Sequence, residues 1–307
     1  MRLALIAGTA NPQLAEGLAR QLGVALESRV VERFPDGELG VAVGSVRGAD
    51  VYLVQPTGPP VHDNLVELLM LADAARRAGA ARVTGVVPYV AYARHDRRGA
   101  EGESIGGRVV ADGLSRALDR VVAVDLHTAA LEGFFGCPIE HLSAISLLAE
   151  RVRPLLTEHV VVAPDLGAVK RAERFARILG LPSASVRKQR WSARQVEALG
   201  IDGDVRGLGV LLVDDMISTG ATVVAATNAL RAAGVGRVIV AATHGLLVPP
   251  AAERLAALQL ESLLVTDSLT PPTGTLPVTL VSLAALLADA VGRLHRDAPL
   301  AELVGTH

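Results

Sequence analysis

Residues 74–87 and 229–242 align without a gap, sharing Ala74/Ala229, Arg76/Arg231, Ala78-Gly79/Ala233-Gly234 and Arg82-Val83/Arg237-Val238. In each copy a helical run stops at a glycine, the usual residue just past a helix end, and an apolar strand follows. The two copies lie far too far apart for a solenoid. They mark two copies of one α/β unit. On either side of them, strands such as 3–7, 50–55, 82–87, 120–124, 160–163, 183–186, 236–242 and 262–265 alternate with amphipathic helical runs. Their apolar runs are unbroken, which argues for mainly parallel sheets covered by helices on both faces.

In such sheets ligands sit beyond the carboxyl ends of the strands. Polar clusters at 94–98, 125–127, 164–165, 188–190, 214–222 and 243–244 all fall there. The richest is Val210-Leu-Leu-Val-Asp-Asp-Met-Ile-Ser-Thr-Gly-Ala-Thr222, a buried strand with two carboxylates where it emerges, followed by a helix from Val223. Unpaired N–H groups at a helix N-terminus favour an anion. Asp214 and Asp215 suit a sugar's hydroxyls or a hydrated divalent metal. Plain capping asks for one carboxylate, and Thr219-Gly-Ala-Thr222 adds two hydroxyl donors and a flexible backbone point. The stretch therefore reads as a sugar-phosphate site.

Other clusters read as parts of the same apparatus. On an extended segment residues two apart point the same way, so Asp125 and His127 can face one ion, and Asp165 supplies a further carboxylate. Hard oxygens with one imidazole suit Mg²⁺ or Mn²⁺. Lys188-Gln-Arg190 stands at a strand end before a long irregular stretch, 191–208, where a lysine and an arginine can close over charge that grows during phosphoryl transfer. Lysine is rare here: of 30 basic residues only Lys170 and Lys188 are lysines. An ammonium and a guanidinium are not equivalent at a site, which singles out Lys188.

Composition excludes several classes. A net charge of −2 and 3% aromatic residues offer neither a nucleic-acid surface nor a base-stacking platform. No apolar run approaches the ~20 residues that span a bilayer. The N-terminus reads as a strand and not a signal peptide. The single cysteine, Cys137, fits a reducing compartment, so a cytoplasmic location is expected.

Phe34-Pro-Asp-Gly-Glu38, Asn64-Leu-Val-Glu-Leu-Leu69, Pro88-Tyr-Val-Ala-Tyr-Ala-Arg-His-Asp-Arg97, Asp125-Leu-His127 with Gly133-Phe-Phe135, Ala163-Pro-Asp165 with Lys170-Arg-Ala172, Lys188 with Arg190, and Val213–Thr222 occur in this order. On these motifs the chain resembles the phosphoribosyl pyrophosphate synthetases (ribose-phosphate diphosphokinases) over nearly its full length. The resemblance implies two tandem type I phosphoribosyltransferase-like domains, here 1–142 joined by the tail 290–307, and 143–289. It implies transfer of the pyrophosphoryl group of ATP to the 1-hydroxyl of ribose 5-phosphate, with Mg²⁺. By the same resemblance Phe34, Asp36, Gly37, Glu38, Arg94, His95 and Asp96 bind ATP, and the 36–38 segment reaches into a neighbouring subunit of a homo-oligomer. His127 and Asp165 bind the metal. Asp214, Asp215, Ser218, Thr219, Gly220, Ala221 and Thr222 hold ribose 5-phosphate. Lys188 and Arg190 are catalytic.

The chain departs from the family pattern at several positions. Members commonly carry Asp at Ser218, Gly at Ala221 and Gln at His95, and an acidic residue at Gly136. Altered phosphate binding is expected at 218–222, and regulation by ADP or phosphate is not assumed. Two other readings are a non-catalytic regulatory homologue and a transferase that consumes phosphoribosyl pyrophosphate. The presence of Lys188 and Arg190 counts against the first, and the 34–38 and 94–96 motifs count against the second.

Overall fold

Which strands pair, and how far each continues, decides where the polar clusters end up. The structure, a computed structural model, describes residues 1–189, 198–270 and 276–304. Two compact units emerge: Met1–Ser143 with Ser268–Thr270 and the chain from Ser282 onward, and Ala144–Asp267 with Pro271–Val281.

The first unit begins with β1 (Leu3–Ala7), α1 (Pro12–Leu22), a hairpin of β2 (Arg29–Arg33) and β3 (Leu39–Val43), and β4 (Asp50–Val54). It continues through α2 (Val61–Arg77), β5 (Arg82–Val86), α3 (Gly106–Ala117), β6 (Arg120–Val124) and β7 (Ile139–Leu142). Its sheet runs β1-β4-β5-β6-β7, parallel throughout, and the β2–β3 hairpin stands apart as its own antiparallel pair. The Asn11 side chain accepts the Leu14 N–H at 3.1 Å and Pro12 opens α1, as a cap followed by a pre-set first turn should.

The second unit has α4 (Ile145–Val152), β8 (His159–Ala163), α5 (Val169–Leu179), β9 (Ser183–Gln189), β10 (Ala198–Asp202) and β11 (Gly209–Ile217). Then come α6 (Ala221–Ala232), β12 (Val238–Gly245), α7 (Ala251–Ala256), β13 (Ser262–Thr266) and β14 (Thr279–Val281). The sheet order is β10-β9-β8-β11-β12-β13-β14, with only β10 antiparallel to its neighbour. A last helix, α8 (Ala284–His295), returns to the first unit and packs along α1. Among the described residues no helix is long and apolar enough to cross a membrane.

The repeated segment is one βαβ unit used twice. β4-α2-β5 and β11-α6-β12 each join parallel neighbours, and both helices end alike. Gly79 and Gly234 take φ of 86° and 93°, and donate to the carbonyls of Arg76 and Arg231, each at 2.9 Å. Positive φ is what glycine adopts without Cβ strain. The repeated arginines act alike too. Arg76 Nε donates to the Ala117 carbonyl at the end of α3, and Arg231 Nη2 to the Leu258 carbonyl just past α7.

Several boundaries differ from the sequence reading. β11 runs through Asp214 and Asp215 to Ile217, and β12 takes in Thr243 and His244, because these two strands keep pairing past their apolar runs. β9 extends to Gln189 and pairs with β10, where an irregular stretch is expected from the sequence. Where the sequence pattern predicts a helix over 146–156, α4 stops at Val152 and gives way to a 3-10 turn, Arg153–Leu155, because Pro154 cannot continue an α-helix. β7 has no distinct apolar signature in Ile-Glu-His-Leu and is read only from its pairing with β6.

His159 opens β8 at 2% exposure, with its ring over Gly209 on β11, where an added Cβ would lie 2.5 Å from Nε2. Its Nδ1 accepts the Thr157 N–H at 3.0 Å, and Nε2 has no partner among the described residues. Burial, reinforced by the nearby Arg237 charge, lowers its pKa. The unfolded chain therefore takes up a proton near pH 6.5 that the folded chain refuses. The neutral imidazole's contribution is complete above that pH and is lost as pH falls toward the folded value. Melting temperature should fall between pH 7.5 and 5.5, and fall less in His159→Gln. Identical pH slopes for the two proteins would refute this.

Candidate active site

In the second unit β11 lies between β8 and β12, in the middle of the sheet. Val210, Leu211, Leu212 and Val213 are buried, and Asp214 and Asp215 follow inside the same strand. Asp215 is buried and Asp214 half-buried, and the Asp215 N–H donates to Asp214 Oδ1 at 2.8 Å. Asp165 lies just past β8, exposed, its Oδ1 accepting the Gly167 and Ala168 N–H groups at 2.9 and 3.2 Å. Burial raises the Asp214 carboxyl well above the usual carboxylate range, and the charges of Asp215 and Asp165 add to the rise. A cation or hydroxyl donors placed against Asp214 would favour its charged form.

The chain then turns into α6. Gly220, at φ 74°, is the N-cap, with Leu255 packed behind it, and among the described residues no side chain caps the helix. The first intrahelical bond is Val224 N–H to the Gly220 carbonyl at 2.9 Å, so the N–H groups of Ala221, Thr222 and Val223 have no helical acceptor. Ala221 and Thr222 are exposed, and Ser218 and Thr219 are half-buried. The turn is braced from outside itself: Leu247 N–H donates to the Ile217 carbonyl at 3.0 Å, and Arg254 Nη1 to the Thr219 carbonyl at 3.3 Å. All five loop residues named from sequence are thus gathered at one helix N-terminus beside two carboxylates. Lys188 lies in β9 opposite Leu199 of β10, on a paired strand. Arg190 lies outside the described residues.

In the first unit Phe34, Asp36, Gly37 and Glu38 form the tip of the β2–β3 hairpin, all exposed. Backbone bonds from Phe34 N–H to the Glu38 carbonyl and from Gly37 N–H to the Phe34 carbonyl close the tip. Glu38 N–H donates to Asp36 Oδ1 at 3.1 Å, and Phe34, 42% exposed, lies against Gly40. Arg94, His95 and Asp96 follow a turn in which Tyr92 takes φ 61°. The Tyr92 hydroxyl is 2.7 Å from His62 Nε2, and the His95 ring stands edge-on to the Tyr92 ring at 5.9 Å. Arg94 and His95 are exposed, and Asp96 is half-buried.

His127 is exposed after β6, but Asp125 does not share its face. Asp125 is 5% exposed at φ 39°, and it accepts the Ser143 hydroxyl at 3.0 Å. The backbone is not extended there, so the two-residue alternation fails and Asp125 supports the turn. Sequence reasoning missed the residues around it. His141 Nε2 accepts the Leu126 N–H, Glu132 Oε1 lies 2.8 Å from His141 Nδ1, and Thr128 Oγ1 donates to Asp96 Oδ2 at 3.3 Å. The sequence carried no signal for them, since the strand that holds His141 is recognised only by its pairing with β6.

A mainly parallel sheet whose central strand carries paired carboxylates near its end and leads through glycine into a helix start open to an anion is an arrangement suited to a phosphoribosyltransferase-type domain. Residues 140–255 match the family model described as a phosphoribosyl transferase domain, and residues 3–117 match the N-terminal domain of ribose phosphate pyrophosphokinase. The chain belongs to the ribose-phosphate pyrophosphokinase family. It is 43% identical to the ribose-phosphate pyrophosphokinase of Parasynechococcus marenigrum and 42% identical to that of a Nostoc species, each match covering 98% of this chain and 93% of the relative. The crystal structure of phosphoribosylpyrophosphate synthetase from Mycobacterium smegmatis superposes with a TM-score of 0.89 at 38% identity, covering 97% of this chain and 100% of that one.

Proposed function

We propose how this family member performs its reaction, transfer of the pyrophosphoryl group of ATP to the 1-hydroxyl of ribose 5-phosphate. The observation that carries the reading is the uncapped, Gly220-opened start of α6 directly after the Asp214–Asp215 pair. The N–H groups and hydroxyls of Ser218, Thr219, Gly220, Ala221 and Thr222 hold the 5-phosphate. Asp214, with Asp215 beside it, accepts hydrogen bonds from the ribose hydroxyls and so orients the sugar. The 1-hydroxyl oxygen attacks the β-phosphorus, the bond from that phosphorus to the α–β bridging oxygen breaks, and AMP departs while the hydroxyl proton is lost. Lys188 and Arg190 neutralise charge on the phosphoryl oxygens as it moves, the contribution such transfers most need.

On the donor side Arg94, His95 and Asp96 bind ATP. Phe34, Asp36, Gly37 and Glu38 do so from a second copy in a homo-oligomer, a role that suits a hairpin tip exposed over its whole length. His127 of the first unit and Asp165 of the second are the residues that, by the family resemblance, would hold magnesium. Their imidazole and carboxylate fit the ion, Asp165 keeping a second carboxylate oxygen beyond the one that caps its turn. Among the described residues no group of three or more His, Cys, Asp or Glu gathers for a metal. When bound, magnesium neutralises phosphate charge. A cytoplasmic location belongs to the same reading, supported by the lone Cys137.

The regulatory and phosphoribosyl pyrophosphate-consuming readings are not favoured, since the relatives matched along the whole chain are named as pyrophosphokinases. The deciding measurement is AMP release from ATP and Mg²⁺ with and without ribose 5-phosphate. AMP should appear only with the sugar, one per phosphoribosyl pyrophosphate formed. Sugar-independent AMP, or none, would overturn the reading, and sedimentation of the active species as a monomer would remove its shared-site part.

A further inference from the structure

We infer that His141 is a positioning residue for His127, acting through the backbone of the turn between them and held in place by Glu132. The inference rests on the reading of His127 as a residue that meets magnesium-bound ATP.

β6 and β7 pair in parallel register up to Val124 opposite Leu142, and one further backbone bond, Asp125 N–H to the Leu142 carbonyl at 2.9 Å, follows. The next donor, Leu126 N–H, is taken not by β7 backbone but by the His141 ring at 2.8 Å. The imidazole therefore ends the ladder where the chain swings out at Asp125. Ser143, two residues along and so on the same side of the extended chain, holds the Asp125 carboxylate. Both residues immediately before His127 are thereby fixed by side chains from the start and end of one short segment.

His141 is only 6% exposed, and its tautomer follows from its partners. Nε2 accepts a backbone N–H, so it carries no proton, and Nδ1–H donates to Glu132 Oε1 at 2.8 Å. Glu132 comes from the 3-10 turn Ala129–Phe134, which starts two residues after His127. On the far side Thr128 bonds Asp96, next to Arg94 and His95. His127 is thus bracketed, by Glu132–His141 and Ser143 before it and by Thr128–Asp96 after it. The nucleotide residues and the metal residue share one hydrogen-bonded frame. Groups that hydrogen-bond a metal ligand directly typically change affinity by about ten- to a hundredfold when removed, and a group acting through the adjacent backbone is expected at the low end of that range.

The test is calorimetric binding of magnesium ATP without ribose 5-phosphate, alongside melting temperature, in the full-length protein. His141→Leu should weaken binding about tenfold. His141→Gln, whose amide oxygen can reach the Leu126 N–H, should recover most of the loss. Added to His127→Ala, the His141→Leu change should cost less than about twofold more, because its effect passes through His127. Full additivity in the double variant, or a folded His141→Leu protein with parental affinity beside a weakened His127→Ala, would overturn the inference alone. Parental affinity in His127→Ala would overturn the role of His127 and this inference together. Should His141→Leu fail to fold, Glu132→Ala, which releases the His141 ring, carries the same comparison, with a weakening absent in the His127→Ala background expected and an additive effect overturning.

Discussion

Replacing Lys188 with alanine is expected to lower kcat by about two to three orders of magnitude, the usual effect of removing one donor aimed at transition-state charge. Affinity for ribose 5-phosphate should stay within about twofold, because the sugar is assigned to the loop after β11, and melting temperature should hardly move. The unchanged melting temperature follows from β9. Lys188 pairs with Leu199 through its backbone, and alanine keeps that ladder intact. The fall in kcat follows from the chain's strong preference for arginine, against which Lys188 stands as one of two lysines. A compact ammonium can track a moving phosphoryl group, whereas a planar fork is set for bidentate contact. Lys188→Arg should therefore recover only part of the rate. Parental kcat in Lys188→Ala would remove the role, and a large fall in melting temperature with normal kinetics would make the residue structural.

The parts of this protein legible in its sequence are those encoded locally. Unbroken apolar runs gave the parallel strands, and Asn11-Pro12 gave the start of α1. The 74–87 and 229–242 copies gave the doubled βαβ unit, down to their glycine ends. What failed was where strands stop. A sequence pattern ends a strand at its first charged residue, but a ladder ends where its partner ends. Asp214, Asp215 and His244 thus stay inside β11 and β12, which pair as far as Ile217 and Gly245. The same holds for Lys188, kept in β9 by a strand that begins at Ala198. The candidate site divides likewise. The residues of 34–38, 94–96 and 214–222 could be named from contiguous motifs. The support of His127 could not, since His141 reaches Leu126 through strand register, which one sequence does not display. Asp125 was misplaced for the related reason that a φ of 39° leaves no trace in a single sequence.

The other large effect is expected at the opposite end of the first unit's strands, at Asp50. This carboxylate opens β4 with no exposed surface, directly opposite Arg82 in β5. Arg82 Nε and Nη2 donate to its two oxygens at 2.7 and 2.6 Å, Tyr52 adds its hydroxyl at 3.1 Å, and His295 Nδ1 donates at 2.8 Å. Arg82 Nη2 also reaches the Leu294 carbonyl at 3.3 Å, so the cluster ties the last turn of α8 to the sheet. Burial alone would push the Asp50 carboxyl up, but the hydrogen bonds from Arg82 and His295, with the Arg82 charge, outweigh it and hold it below the usual value. Asp50→Ala leaves a guanidinium and an imidazole facing a gap, and breaking a buried pair from one side costs about 3–5 kcal/mol. For a unit of this size that lowers the melting temperature by roughly 10 °C. Asp50→Asn keeps an acceptor oxygen and should lose less. Because the folded carboxyl is depressed, the cluster's contribution is complete above about pH 4 and fades as pH falls through the folded value. Measured well below both melting temperatures, KM for ATP and for ribose 5-phosphate should match the parent, since Arg94–Asp96 and His127 follow the other ends of β5 and β6, 34–38 lie on a separate hairpin, and 214–222 lie in the second unit. Asp50→Ala melting within about 2 °C of the parent would show that α8 is held without this cluster, and an intact melting temperature with a raised KM would place Asp50 in the site.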